Sequence, residues 1–300
     1  MPEGDVVHRT CARLHEALAG RTLLAAELRW PGLSTADLAG ATVTEVVPRG
    51  KHILIRLDTG WTLHSHLRME GQWRIERTVD PPSRPLRSRR ELANGGVTPR
   101  PLRSRRELAN GGVTKGAGNP DVRAILVAEP WTALGLRLGR LDLVRTADER
   151  SVVGHLGPDI LATDFDATTA AANLTHTGGP IGAALLDQRN LAGIGTVWAS
   201  ESLFAERLNP WAEVLSDDEL RRLVERARRM MLASLAGHGE PRVHGRSGRP
   251  CRRCGNTVRV AQIGPPTRER AMFYCPTCQG GLAPNDDGRP IAPLGARRRT

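Results

Sequence analysis

The chain has almost no lysine and few aromatic residues. Of its 43 basic residues only Lys51 and Lys115 are lysines, and only ten of its 300 residues are Phe, Trp or Tyr. No run of eighteen apolar residues occurs, and the chain does not open with a charged segment followed by an apolar one. These absences exclude a membrane span and a secretory signal, so we expect a cytoplasmic protein.

The positive charge is concentrated in two segments. The formal net charge is +11, but residues 84–115 hold nine basic against two acidic side chains, and residues 242–279 hold eight arginines and one glutamate. The remainder of the chain is mildly acidic. Positive charge confined in this way predicts a polyanionic partner.

One internal repeat is present. Residues 84–98 and 100–114 are the same fifteen residues, RPLRSRRELANGGVT. Two identical copies indicate a tandem duplication, because a solenoid needs more repeats to build a core. We expect 79–119 to be one long flexible loop whose arginines touch nucleic acid non-specifically.

Hydrophobic patterning predicts an α+β chain. Apolar residues at every third or fourth position predict a helix over Asp5–Leu18. Seven runs of β type, at a spacing typical of an antiparallel sandwich, follow at 22–30, 42–47, 52–57, 62–69, 72–77, 122–128 and 133–144. Beyond Thr146 the pattern becomes helical, over 166–176, 181–188, 197–207 and a long helix that begins at the capping box Ser216–Glu219 and ends at Gly237.

Four cysteines have the spacing of a metal site. Cys251 and Cys254 form one CxxC pair, and Cys275 and Cys278 form a second after twenty residues. Four thiolates fill a tetrahedral zinc site completely, so we expect one structural Zn²⁺. The fifth cysteine, Cys11, lies on the apolar face of the first helix and is predicted to be core.

Two short segments suit the binding of phosphate. Thr267–Arg270 lies where a zinc hairpin would turn, and an arginine at such a tip can contact two phosphates. The glycines of Leu185–Gly195 permit a tight turn whose backbone N–H groups could face a phosphate at a helix N-terminus. Glycines between helices are more often simple turns.

The N-terminus carries a candidate nucleophile. Removal of Met1 would expose the secondary amine of Pro2, and α-amino groups have pKa values of about 7.7–8 that leave much of the amine neutral. Attack on an aldehyde-like carbon gives an iminium whose fixed charge favours elimination. The adjacent Glu3 could donate and accept protons.

Taken together, these features resemble the formamidopyrimidine-DNA glycosylase / endonuclease VIII family of base-excision repair, and the opening Pro-Glu-Gly-Asp-Val resembles the actinobacterial endonuclease VIII branch. The motifs occur in the family's order: Pro2-Glu3-Gly4, Arg49-Gly50-Lys51, Ser65-His66 with Gly71, Gly157-Pro158-Asp159, Leu185–Gln188 with Leu191–Gly195, and Arg270 with Cys275–Gln279.

The resemblance implies a fold and a division of the chain. It implies an N-terminal antiparallel β-sandwich with an N-terminal helix over 1–145, a helix–two-turn–helix DNA-binding domain over 146–240 and a zinc-finger hairpin over 241–279. We expect a disordered tail over 280–300. The implied partner is damaged DNA, with no membrane and no small-molecule cofactor, and the implied protein is a monomer associated with the bacterial nucleoid.

The resemblance also implies a bifunctional DNA glycosylase and AP lyase that removes oxidised bases, with a preference for pyrimidines, and cleaves the strand by β,δ-elimination. Pro2 would be the nucleophile, Glu3 the proton-transfer group and Lys51 a support for elimination, while Met69 would fill the gap left by the flipped base. The remaining implied DNA contacts are Gln188, Gly195, Thr196 and the finger residue Arg270, which is also counted among the catalytic residues.

Three positions depart from the family pattern. Thr196 stands where the family commonly has Asn, Val6 stands where a glutamate is common, and the span between the cysteine pairs is longer than usual. Considered without the resemblance, Met69 is predicted to be a core residue, and His64 and His66 are predicted to be hydrogen-bonded residues of a sheet.

Two alternative functions remain open. One is an AP lyase with poor base excision. The other is a non-catalytic DNA-binding protein that uses the helical turn and the zinc ribbon.

Overall fold

The computed structural model describes residues 2–78, 115–175 and 178–293. The chain divides into two compact units. One contains Pro2 and continues from Val6 to Gly154. The other contains Glu3–Asp5 and everything from His155 onward. The duplicated segment 84–114 lies outside the described residues, and of the predicted loop only 115–119 is described, with a short 3₁₀ turn at Lys115–Gly118.

The first unit is an antiparallel β-sandwich that carries helix α1 (Gly4–Leu18). One sheet has the strand order β1-β6-β7-β5 and the other β2-β3-β4-β8. Alternate residues of both sheets and the apolar face of α1, including Cys11, form one core. The strands are β1 (Ala25–Leu28), β2 (Val43–Arg49), β3 (His52–Leu57), β4 (Trp61–His66), β5 (Gln72–Arg77), β6 (Val122–Ala128), β7 (Trp131–Leu136) and β8 (Arg140–Arg145).

The described strands of the sandwich number eight, whereas the sequence predicts seven. The run 133–144, predicted as one strand, is two: β7 ends at Leu136, and β8 begins at Arg140 in the opposite sheet. Arg137 adopts a positive φ of 46° at this point, which ends the strand and turns the chain from one sheet into the other. Leu136 and Leu138, on either side of Arg137, continue the apolar pattern through the turn and conceal the break.

The second unit begins with helices, after the short helix α2 (Arg150–Val153) that closes the first unit. A capping box forms at Ser216 and Glu219, as predicted. The apolar faces pack into a core of their own. The helices are α3 (Ala167–Thr175), α4 (Ile181–Leu186), α5 (Thr196–Ala205) and α6 (Asp217–Leu235). No helix among the described residues is long and apolar enough to cross a membrane.

The unit ends in a two-stranded hairpin, β9 (Arg259–Ile263) and β10 (Arg270–Tyr274), as predicted for the cysteine-bearing segment. Ile263 and Met272 pack into the helical core. The expectation of disorder from residue 280 is wrong for residues 280–293. The Asp286 carboxylate accepts hydrogen bonds from Arg259 and the Tyr274 hydroxyl, and this buried contact ties the segment to the hairpin.

Candidate functional site

The Glu3 side chain lies at the N-terminus of helix α5. Only 2 % of Glu3 is exposed, and its carboxylate accepts backbone N–H hydrogen bonds from Gly195 at 2.9 Å, Val197 at 2.8 Å and Trp198 at 3.3 Å. Three donors and the positive end of a helix stabilise the negatively charged carboxylate. Glu3 is therefore arranged as a fixed anion that can accept a proton or stabilise a nearby cation.

This arrangement corrects the expectation that the Leu185–Gly195 turn presents its N–H groups to a phosphate. The anion at the N-terminus of α5 is the Glu3 carboxylate, and the Gly195 N–H is one of its donors. A Cβ on Gly195 would lie 2.4 Å from the Glu3 carboxyl carbon, so only glycine permits the approach. Gly195 thus holds Glu3, and the half-buried Thr196 begins the helix.

The Gln188 side chain is used within the same turn. Its amide nitrogen donates to the carbonyls of Leu186 at 3.1 Å and Ile194 at 2.8 Å, and its amide oxygen accepts from the N–H of Gly193 at 3.0 Å. With both ends of the amide committed to backbone, Gln188 shapes the turn. The expectation of a direct DNA contact through this side chain is not supported by that geometry.

Asp5 is a buried carboxylate whose role the sequence did not indicate. Its Oδ1 accepts from the indole N–H of Trp198 at 3.2 Å, and its Oδ2 accepts from the Ser234 hydroxyl at 2.8 Å. Between the two carboxylates, the Gly4 N–H donates to the carbonyl of Gly193 at 2.9 Å. Residues 3–5 are thus bonded to the helical unit by both side chains and by backbone.

Lys51 lies in the two-residue turn between β2 and β3, where Gly50 adopts a φ of 58°. Its charge acts on His66 at the end of β4. Burial, reinforced by Lys51 and other neighbouring cations, lowers the pKa of His66 to about 4. The His66 Nδ1 accepts from the N–H of Arg68 at 2.9 Å, so the neutral ring carries its proton on Nε2. Lys51 therefore stands beside a neutral hydrogen-bond donor.

A hydrogen-bonded chain that joins two buried histidines to the partly exposed Asp142 crosses the same sheet. The His64 Nδ1 donates to Asp142 Oδ2 at 2.8 Å, and His64 Nε2 accepts from His52 Nδ1 at 2.7 Å. Burial lowers the pKa of His64 despite the carboxylate, so a neutral imidazole donates this hydrogen bond to Asp142. The reading of His64 and His66 as hydrogen-bonded sheet residues fits these contacts.

Met69 is not a core residue. Strand β4 ends at His66, and Met69 lies in the following turn with 60 % of its surface exposed. The alternating pattern of 62–69 suggested an inward position for Met69, but the strand stops three residues earlier. Arg68, with a φ of 52°, marks the turn.

Arg270 is the first residue of β10 and pairs in register with Ile263. It is exposed, at the end of the hairpin where the chain turns between the strands, as the sequence predicts for the tip segment.

The four cysteines are brought together as predicted. All four Sγ atoms lie within 4.8 Å of one another, with Cys251 to Cys278 at 3.9 Å and Cys254 to Cys275 at 3.5 Å. A tetrahedral site with Zn–S bonds of about 2.3 Å needs S–S distances near 3.8 Å, so the cluster fits a metal ion. An N–H from Asn256 lowers the pKa of Cys254, whereas burial raises the pKa of Cys275.

Comparisons with known proteins identify the family of the chain. Residues 1–100 match the formamidopyrimidine-DNA glycosylase N-terminal domain, and residues 156–243 match the H2TH domain of the same enzymes. The chain is 42 % identical to the "Probable endonuclease 8 2" of Streptomyces coelicolor, covering 96 % of this chain and 98 % of that protein. It is 35 % identical to the "DNA-(apurinic or apyrimidinic site) lyase Nei2" of Mycolicibacterium smegmatis, covering 93 % and 99 %.

The fold also matches solved structures. The MutM (Fpg) protein of Thermus thermophilus superposes with a TM-score of 0.71 at 28 % identity, covering 94 % of this chain and all of that one. The sequence motifs, the fold and these relatives lead to one assignment: the chain belongs to the formamidopyrimidine-DNA glycosylase and endonuclease 8 family.

Proposed function

We propose that the chain is a bifunctional DNA glycosylase and AP lyase that works through a Schiff base on Pro2. The observation that carries the proposal is the anchored Glu3 carboxylate, which is bonded to three backbone N–H groups directly next to Pro2 in the chain. Family membership and relatives named endonuclease 8 and AP lyase support the same activity.

The chemistry follows from the two residues. After removal of Met1, the Pro2 nitrogen attacks C1′ of the damaged nucleotide, and the base departs with the C1′–N bond electrons and a proton. Opening of the sugar ring then breaks the C1′–O4′ bond, and O4′ takes up a proton. The ring-opened iminium acts as an electron sink, so loss of a C2′ proton expels the 3′ phosphate, and a second elimination expels the 5′ phosphate. The Glu3 carboxylate stabilises the cation and takes part in the proton transfers.

Other residues are assigned to the DNA. Lys51 contacts phosphate or base and supports elimination, the exposed Met69 fills the gap left by the flipped nucleotide, and Arg270 contacts the flanking phosphates. The Thr196 hydroxyl offers a weaker phosphate contact than an amide would. Gly195 and Gln188 serve this surface by holding the turn in place.

The metal at the four cysteines is proposed to be one structural Zn²⁺. Four thiolates leave no open coordination position, so the ion stabilises the hairpin that carries Arg270 and takes no part in the reaction. Proposed substrates are oxidised bases in DNA, with pyrimidines preferred, and the corresponding location is the bacterial cytoplasm, at the nucleoid. We propose that the protein acts as a monomer.

Borohydride trapping on abasic DNA tests this function. The purified protein should form a covalent adduct that maps to the N-terminal peptide and disappears in Pro2→Gly, while DNA affinity changes little. Intact mass reports whether Met1 is removed. Strand scission by protein that retains Met1, or an adduct on a lysine, would contradict the assignment; intact binding without any adduct would favour the non-catalytic DNA-binding alternative.

The AP lyase alternative is favoured by the Mycolicibacterium smegmatis relative, which is named for that activity. A panel of duplexes with an oxidised pyrimidine, an oxidised purine or an abasic site separates the two. Single-turnover base release comparable to abasic-site cleavage supports the glycosylase, whereas cleavage of the abasic duplex alone supports the lyase.

A further inference from the structure

The N-terminal peptide belongs to two parts of the molecule at once. Glu3–Asp5 group with the helical unit, whereas Pro2 and the rest of α1 group with the sandwich. A Cβ on Gly4 would lie 3.0 Å from the Gly193 Cα and 3.2 Å from the Met231 side chain, so the backbone of residue 4 runs close to the turn before α5. The close approach of residues 3–5 to the helices requires bonds that hold this segment in place.

Asp5 supplies a bond to each of the two long helices. Its two carboxylate oxygens accept from different elements, Trp198 in the first turn of α5 and Ser234 in the last turn of α6. Asp5 is only 5 % exposed, so both hydrogen bonds are shielded from water. A polar bridge of this kind, buried and shared by two helices, fixes the Asp5 backbone more tightly than one contact would.

We propose that Asp5 is a positioning residue for Pro2: by bridging Trp198 and Ser234, it fixes the start of the chain so that the Pro2 nitrogen meets C1′ in a productive geometry. This inference rests on the proposed function. The side chains of Glu3 and Asp5 together hold residues 3–5 against the helices. Pro2 is the residue directly before this anchored segment, so the position of its nitrogen depends on the anchor. Misplacement of a reacting atom by about 1 Å can cost on the order of 100-fold in rate.

Asp5 is the residue of the segment that reaches both long helices. The next residue, Val6, has no polar group in its side chain. The carboxylate one residue earlier provides the anchor to α5 and α6.

The test measures the single-turnover rate of borohydride trapping at saturating abasic DNA, below the melting temperature of every variant. Asp5→Ala removes both hydrogen bonds and should lower the rate tenfold or more, with DNA affinity within about threefold. Asp5→Asn retains an oxygen acceptor for Trp198 and an amide donor for the Ser234 oxygen, so it should restore the rate to within about threefold. Ser234→Ala removes one bond and should fall between the two.

Two controls distinguish an effect on the position of Pro2 from an effect on the reactivity of its nitrogen or on the stability of the protein. Glu206→Ala breaks an ion pair between the end of α5 and Arg226 of α6, away from residues 3–5, and should trap at the wild-type rate. Reductive alkylation of the N-terminus by a small free aldehyde needs no docking geometry, so Asp5→Ala should react normally. The low lysine content keeps the peptide map of that reaction simple.

The outcomes are distinguishable. Wild-type trapping with an unchanged rate in Asp5→Ala would overturn the positioning role and leave the proposed function standing. A slow rate in Asp5→Ala that Asp5→Asn does not restore, or equal slowing of the small-aldehyde reaction, would also overturn it. Failure of the wild-type protein to trap would remove the proposed function and this inference with it.

Discussion

The two units bury polar side chains in different ways. In the sandwich, polar groups pair with other side chains across neighbouring strands: His64 with Asp142, and Arg56 with Glu149. In the helical unit, Asp5 and Asp286 also bond to side chains, but two buried glutamates accept from backbone N–H groups. Glu3 receives three such bonds, and Glu201 receives three from Arg242, Val243 and His244 at 2.8–2.9 Å.

The difference determines how each unit responds to substitution. A side-chain partner can rotate, bind water or pair with a second group when its neighbour is changed. A backbone N–H is fixed by the fold, so a buried one that loses its acceptor stays unsatisfied, at a cost of about 1–3 kcal/mol. We therefore expect the two backbone-bonded glutamates of the helical unit to tolerate the loss of an acceptor oxygen less well than the side-chain pairs of the sandwich do.

Metal removal is expected to have the largest effect and to be confined to the helical unit. Structural zinc contributes apparent free energies of about 10–16 kcal/mol in small fingers, and here Ile263 and Met272 connect the hairpin to the helical core. Chelation should abolish DNA binding and raise hydrogen exchange across β9, β10 and their helical contacts, reversibly on adding Zn²⁺. An equal loss of hydrogen-exchange protection in strands β2–β4 would contradict the expectation that the effect is confined to the helical unit.

Glu201→Gln comes next. The amide has one acceptor oxygen and would turn an N–H₂ group toward at least one of three backbone donors, so we expect a loss of about 2–4 kcal/mol in the free energy of unfolding. Glu206→Gln, just beyond the end of the same helix and in a partly exposed ion pair with Arg226, should cost less than about 1 kcal/mol. Urea denaturation measures the free energy of unfolding of both variants. Similar losses in the two would contradict the expected difference between backbone-bonded and side-chain-bonded carboxylates.

These contrasts also explain which features were predictable from sequence. The β-sandwich, the capping box at Ser216 and the cysteine cluster follow from periodicity and spacing, which are local properties of the chain. The break between β7 and β8 was missed because apolar residues continue through the turn at Arg137. The packing of residues 280–293 was missed because it depends on Asp286, one carboxylate in a polar segment.

The sequence predicted which residues belong to the site but not which groups they bond to. Motif order singled out Glu3, Gly195 and Gln188, but which backbone groups they bind is set by long-range packing that leaves no periodic signal. Asp5 was not among the predicted site residues. Its spacing of two residues from Glu3, at the start of a helix, was the available hint.

The sandwich should show its own sensitivity in acid. The pKa of His66 is lowered to about 4 by burial and by Lys51, and that of His64 is lowered by burial. Between pH 6.5 and 4 the unfolded chain binds more protons than the folded one, so this stability is complete above pH 6.5 and is lost as the pH falls. We expect a loss of roughly 1–2 kcal/mol between pH 6.5 and pH 5.

His66→Gln is the matched variant for that measurement. It removes the titrating ring, so its free energy of unfolding should fall less over the same pH interval. His244 of the helical unit, whose pKa is also lowered by burial, is unchanged in the variant and cancels from the difference. Parallel pH profiles for the two proteins would rule out His66 as a source of the acid sensitivity.

The smallest effect is expected for Asp142→Asn, the same carboxylate-to-amide change as at Glu201. The amide oxygen can still accept from the His64 Nδ1–H, so the neutral tautomers of His64 and His52 persist. Only a partly exposed ion pair with Arg140 is lost, which is worth about 0–1 kcal/mol. Urea denaturation should therefore show a loss below about 1 kcal/mol, and ¹⁵N NMR of the His64 ring should report an unchanged tautomer. A loss of unfolding free energy as large as that of Glu201→Gln would mean that the buried His64 depends on the charge of the carboxylate. Pairing between side chains would then tolerate substitution no better than pairing with the backbone does.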